Sequence, residues 1–132
     1  MSAIDMTSHP LHLGLGATAA VEPRFTGDVA WYEAYAERHR SDGREGRLVA
    51  MHIFDAPWSS WEMHPAGAEV VLCTGGSITL LQQQADGTVT SVRLGAGQYA
   101  INPPGVWHTA DVEGPSTAVF ITAGEGTQHR PR

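Results

Sequence analysis

Cysteine is nearly absent: Cys73 is the one copy, so no intramolecular disulfide can form. A reducing compartment suits that count. No run of about 18 apolar residues is present to cross a membrane as a helix. The first residues, Met1 to Thr7, hold neither a basic stretch nor an apolar one. No secretory signal is read there, and a cytoplasmic protein is expected. Positive charge is scarce, with 8 Lys and Arg against 14 Asp and Glu, a net charge of −6. With no basic stripe, nucleic acid is not expected as a partner, and neither is a membrane. The sequence also lacks a phosphate-binding glycine loop, a nucleotide fingerprint and any low-complexity segment.

What is present describes one globular domain. Of the 132 residues 42% are hydrophobic and 17% charged, enough for a core of its own. Glycine at 15 and proline at 8 suit many short strands joined by turns. Residues 1–27 read as an extended arm with one short strand. Asp28 is a good N-cap for a helix over residues 29–40, with Trp31 and Tyr35 on the side that packs on the barrel. Asp42-Gly43 ends it. Strand signals follow at 47–54, 60–64, 69–73, 77–83, 88–94, 99–102, 107–112 and 117–123, with Asp86-Gly87 as a hairpin turn. Such a series points to a sandwich or barrel. Residues 124–132 are polar and read as loose, or as reaching a partner. The division expected is an arm and helix at 1–45, a barrel core at 46–123 and a polar tail at 124–132.

The most informative stretch is Glu62-Met63-His64-Pro65-Ala66-Gly67-Ala68-Glu69. In a strand, Glu62 and His64 point to the same face. Pro65-Ala66-Gly67 can swing the chain back and bring Glu69 toward them. Farther on, Gly97-x5-Pro103-x-Gly105-x2-His108 places another imidazole at a strand start after a tight turn. Two His and two carboxylates on one face make a ligand set for a divalent transition metal, Fe, Zn, Mn or Ni.

These residues resemble the two motifs of the cupins. The first cupin motif runs Gly-x5-His-x-His, three or four residues, Glu, six residues, Gly. Here His64, Glu69 and Gly76 match it, while Ala56 replaces the opening Gly and Glu62 the first His. The second motif matches from Gly97 through Pro103 and Gly105 to His108, with Val112 where Asn is usual. The resemblance covers about residues 46–123. It implies an all-β jelly-roll barrel, a double-stranded β-helix, with the short helix packed outside. It also implies metal held by Glu62, His64, Glu69 and His108. An oxygen ligand at position 62 resembles the phosphomannose isomerase branch, where an amide precedes the His and zinc is bound.

Alternatives remain at several positions. Glu62 is read as a ligand, as a catalytic acid or base beside the metal, or as a partner of an arginine such as Arg93. Strand parity turns Trp58, Ser60, Val71, Cys73, Val106 and Ala110 inward with the ligands. Either Tyr99 and Ile101 or Ala100 and Asn102 join them, and Tyr99 is the candidate to orient a substrate. Cys73 reads as a small buried hydrophobe. The pair His9 and His12 is a poor metal signal, His52 faces in or out, and His39 and His129 read as solvated. The resemblance implies a metal-dependent enzyme on a small organic molecule, dioxygenase-like or an isomerase or lyase, working by Lewis-acid activation. A non-catalytic metal or ligand-binding module and a barrel with a vestigial site are the alternatives. A homodimer is expected, with Leu11, Leu13 and Leu15 adding a strand to a neighbour's sheet.

Overall fold

Turns at glycine and proline cut the chain into eleven strands and one α-helix in a computed structural model that describes residues 1–132. In chain order these are β1 (Leu11–Gly14), β2 (Thr18–Val21), α1 (Val29–Arg38), β3 (Arg47–Phe54), β4 (Ser60–Met63) and β5 (Glu69–Gly75). Then come β6 (Ser77–Gln83), β7 (Val89–Gly95), β8 (Tyr99–Asn102), β9 (His108–Asp111), β10 (Ser116–Thr122) and β11 (Gln128–Pro131). One sheet has the order β2-β1-β3-β10-β5-β8 and the other β11-β4-β9-β6-β7, with every pair antiparallel. This is the all-β jelly-roll expected from the strand series.

The inner faces follow the two-residue period of strands. Val71, Cys73, Ile78, Leu80, Ala110 and Phe120 are buried together in one core cluster. Cys73 has no exposed surface, as a small hydrophobe should. Gly76, at φ 65°, makes the turn from β5 to β6, and an added Cβ there would also run into the backbone of Pro115.

α1 begins where expected. The Asp28 carboxylate accepts a hydrogen bond from the Trp31 N–H at 2.9 Å. Trp31 is buried, stacked against Tyr35 and edge-on to Phe25, and Phe25 in turn meets His52 of β3. The α-helix stops at Arg38, two residues short of the reading. A 3-10 segment, Arg40–Glu45, takes over, with Gly43 at φ 62°.

Three expectations need correction. The arm forms two strands, and β1 pairs with β3 of its own sheet, so Leu11 and Leu13 already have a partner and β2 is the edge. The segment read as a loose tail forms β11, which pairs with β4 in register. His39, read as solvated, is largely buried and donates from Nε2 to Glu22 Oε2 at 2.8 Å. In each case the pairing partner lies far along the chain, where local composition carries no signal.

Candidate metal centre

β4 ends at Met63, so Glu62 lies inside the strand and His64 just beyond it, both directed into the barrel. Glu69 opens β5 on the far side of the Pro65-Ala66-Gly67 turn, and His108 opens β9 directly opposite Glu62 in the ladder. The two motifs are fastened together at their turns: the Gly105 N–H donates to the His64 carbonyl at 3.0 Å. Gly105 has φ 76°, a conformation that favours glycine.

All four expected ligands converge. His64 Nε2 lies 3.1 Å from Glu69 Oε2, and His108 Nε2 lies 3.2 Å from Glu69 Oε1. Glu62 Oε2 lies 3.7 and 3.8 Å from the same two nitrogens. His64, Glu69 and His108 are buried, while the Glu62 side chain keeps 28% exposure. Neither Nε2 makes an aligned hydrogen bond, although both are buried. A buried imidazole nitrogen without a partner calls for an explanation, and a shared cation supplies one.

The outer atoms of these side chains are held. His108 Nδ1–H donates to the Val106 carbonyl at 3.3 Å. The Thr127 hydroxyl donates to the Gly124 carbonyl, which leaves its oxygen to accept from His64 Nδ1–H at 2.8 Å. Both rings therefore have Nδ1 as a donor and turn Nε2 inward, the atom a metal would take once its proton is displaced. Glu69 accepts from Asn102 Nδ2 at 3.0 Å and from the Thr122 hydroxyl at 2.6 Å. Gln82 Nε2 donates to Asn102 Oδ1 at 2.8 Å and fixes that amide's orientation.

Charge accumulates accordingly. Burial opposes a charge on His108, but Glu62 and Glu69 outweigh it and raise its pKa to about 9. Burial also opposes a charge on Glu69, yet the two imidazoles hold its carboxyl well below the usual carboxylate range. Glu62 is lowered by the same balance, with Glu69 working against it. Glu62, His64 and His108 bring one ligand atom each close enough to hold a divalent cation, with Glu69 beside both imidazoles, and the donor set fits a transition metal.

Glu62 does not turn to Arg93, which reaches Ser77 instead; its Oε1 accepts from His129 Nε2 at 3.1 Å. Tyr99 stands on the solvent face of β8 at 64% exposure, and the inward positions go to Ala100 and Asn102. Tyr99 does not reach the site. His52 faces in, against Phe54 and Phe120, and burial lowers its pKa. Trp58 also faces in, with its ring 6.3 Å from that of His108. Sequence reasoning missed Thr122, Thr127 and His129 as holders of the ligands. For the last two a signal existed: Thr127-x-His129 has the same two-residue spacing as Glu62-x-His64.

A second group of ligand-type residues lies in the arm: His12, His39 and Asp42. Here His12 Nε2–H donates to Asp42 Oδ2 at 2.7 Å, and the Tyr35 hydroxyl donates to His12 Nδ1 at 2.6 Å. The His12 ring stacks on His39 at 3.6 Å. Both His12 nitrogens are committed, and the group fastens the arm to the end of α1. His9 is turned elsewhere, bonded to Ser8. Depressions of ≈ 420 and ≈ 160 Å³ lie on the arm around Ile4, His9 and Val21, and neither touches the barrel site.

No protein-family model matches the sequence, and no curated protein matches it. In structure the chain is similar to Bacillus subtilis oxalate decarboxylase, a protein with Mn(II) centres, at 14% identity and a TM-score of 0.56. That likeness covers 73% of this chain and 26% of the other. It is also similar to Peruvianin-I, a cysteine peptidase from Thevetia peruviana latex, at 22% identity and a TM-score of 0.54, over 64% of this chain and 56% of that one. An oxalate oxidase follows at 19% identity and a TM-score of 0.51, over 61% of this chain and 44% of that one. The chain thus spans less than two thirds of each of these proteins. At such identities the likeness is one of fold, the two-sheet jelly-roll barrel described above.

Proposed function

We propose that this small cupin barrel is a metal-dependent protein acting on a small organic molecule, with Glu62, His64, Glu69 and His108 as the metal ligands. One observation carries the reading: two buried imidazole Nε2 atoms without hydrogen-bond partners face each other across two carboxylates. The Mn(II) centres of the oxalate decarboxylase with the same fold support it. Bound metal supplies Lewis-acid polarisation of substrate oxygens or O2. The side chains do the rest. His64 and His108 present nitrogen lone pairs, held in place through Nδ1. Glu69 is buried and held by Asn102 and Thr122, with the Gln82 amide behind Asn102. Glu62 is the carboxylate of the four with access to solvent, so it is the one placed to exchange a proton at Oε2 as well as to bind. A dioxygenase-like or isomerase or lyase-like reaction is the chemistry this arrangement serves.

A second reading has its own support. The barrel beside His108 is lined by the aromatic rings of Phe54, Trp58 and Phe120, packed against one another. This favours a metal-binding module without turnover, or a vestigial site. The test is elemental analysis of protein purified without chelator, beside the His64→Ala and His108→Ala variants. Metal in the parent at one per chain and loss in both variants supports the centre. A parent without metal that also binds none when offered Mn, Fe, Zn or Ni removes it.

The reading extends to a homodimer in a reducing, cytoplasmic setting. Edge strand β2, with Val21 and the nearby Leu15 exposed, offers the pairing surface that β1 does not. Light scattering at micromolar concentration checks this, and a monomer mass would remove it. No helix is long and apolar enough to cross a membrane.

A further inference from the structure

Thr127 and His129 are two residues apart, and each touches the outer atom of a different proposed ligand. The Thr127 hydroxyl oxygen accepts from His64 Nδ1–H at 2.8 Å, and His129 Nε2–H donates to Glu62 Oε1 at 3.1 Å. His129 stands directly across the ladder from Glu62. Ligands and holders thus run antiparallel with matched spacing, one strand serving as the jig for the other. We propose that β11 and its approach are the positioning element of the metal centre, so that docking of this strand and tight metal binding depend on each other. The inference rests on the proposed ligand set.

The rest of the strand is built to dock from the opposite face. Arg130 lies over the Trp107 and Trp61 rings at 4.3 and 5.5 Å and donates to Gln83 Oε1 at 2.6 Å. Arg132 pairs with Asp111 at 2.6 Å and donates to the carbonyls of Trp58 and Ala110. Arginines anchor one face, and the other is spent on the ligands. β11 is nonetheless an edge strand, paired on one side to β4 and otherwise open. Edge strands with exposed hydrogen bonds open at low cost. Without Thr127 the His64 ring loses the acceptor that fixes its tautomer. Without His129 the Glu62 carboxylate loses the donor that holds Oε1 outward and Oε2 inward. Coupling of this kind is reciprocal: whatever β11 contributes to metal affinity, metal returns to β11 docking.

The probe is Co(II), whose visible absorption reports ligand geometry. Thr127→Val and His129→Phe are each expected to weaken Co(II) binding by about 10–100-fold, the range for partners that orient a ligand. Thr127→Ser and His129→Gln keep the acceptor and the donor and are expected to recover affinity and spectrum. In the unaltered protein, Co(II) is expected to slow amide exchange at residues 128–131 more than in β7, the edge strand at the other side of the same sheet. Equal Co(II) affinity across all four variants, or equal protection of β7 and β11, would overturn the proposal while leaving the metal centre intact. A parent protein that takes up no Co(II) would instead remove the ligand set, and this inference with it. The exchange measurement needs no substitution, so a variant that fails to fold does not shield the idea.

Discussion

This chain contains two clusters of histidine and carboxylate with nearly the same ingredients and opposite bonding. In the arm, His12 spends both ring nitrogens, one on Asp42 and one on Tyr35, and His39 is bonded to Glu22, which also pairs with Arg38 at 2.7 Å. In the barrel, His64 and His108 each make an aligned bond only through Nδ1, and both Nε2 atoms face two carboxylates without one. Proximity alone does not separate these clusters, since His12, His39 and Asp42 in one and Glu62, His64 and His108 in the other each bring ligand atoms within 4.8 Å of one another. The hydrogen-bond account does. A closed network rigidifies what it joins, whereas a buried group left open is costly unless something binds there. The arm cluster is a clasp, and the barrel cluster is the one proposed to receive a metal.

The sharpest way to break this contrast is to remove one imidazole from each. His108→Ala or His64→Ala is expected to weaken metal binding by more than ~100-fold, beyond the usual loss for an orienting partner. His12→Ala should leave metal content unchanged, as read by elemental analysis. That change leaves Asp42 and Tyr35 without their shared partner, and urea unfolding should show a lower midpoint. If His12→Ala lost metal as His108→Ala does, the two clusters would not be different in kind.

A second test uses the metal as ligand. Zn(II) at 1,000 times its dissociation constant should stabilise the fold by ~4 kcal/mol. His12→Ala should keep that gain and His108→Ala should lose it.

The third test is pH. In metal-free protein His108 is held at about 9 against an ordinary 6.5. Its protonated form is favoured by folding, so its contribution is full below 6.5 and is lost as pH rises through about 9. Glu69 runs the other way: its carboxyl is held below an ordinary 4.5, so its contribution is present above 4.5 and falls away on acidification. Stability without metal should therefore decline above 6.5, and bound metal should reverse the decline, since a cation displaces the His108 proton. Urea midpoints across that range, with and without Zn(II), provide the comparison. An unchanged alkaline limb in His108→Gln would show that another group is responsible.

The smallest expected effect on metal belongs to Glu62→Gln. Gln keeps an oxygen donor, so metal content should persist within about a 10-fold change in affinity, one orienting interaction's worth. Turnover should fall if Glu62 moves a proton, because an amide cannot exchange one near neutral pH. Retained turnover would leave Glu62 as a ligand only.

Much of the barrel site was legible because its signals are local. Glu62 and His64 are one strand repeat apart, and the Pro103 and Gly105 turn announces His108. The Asp86-Gly87 hairpin and the Asp28 cap likewise depend on adjacent residues. What stayed hidden depends on pairing across the chain. Strand parity left Tyr99 and Asn102 as alternatives, and only the register of β8 against β5, with Glu69 opposite Asn102, turns the amide inward. The clasp joins His12 to Asp42, 30 residues on, and β11 reaches back 67 residues from His129 to Glu62. Polar composition made residues 124–132 look solvated, while arginine stacking on Trp107 supplied the anchor that composition hides.

The order of residues along β4, β9 and β11 also sets an order in time. A ribosome releases the chain from its N-terminal side at about 5–20 residues per second. Glu62, His64, Glu69 and His108 have all been made before Thr127 and His129 are joined to them. For an interval on the order of seconds, the growing barrel carries its ligands without the strand that aims two of them. On the proposed coupling, a cation met in that interval is expected to find a poorer grip than after the later strand docks.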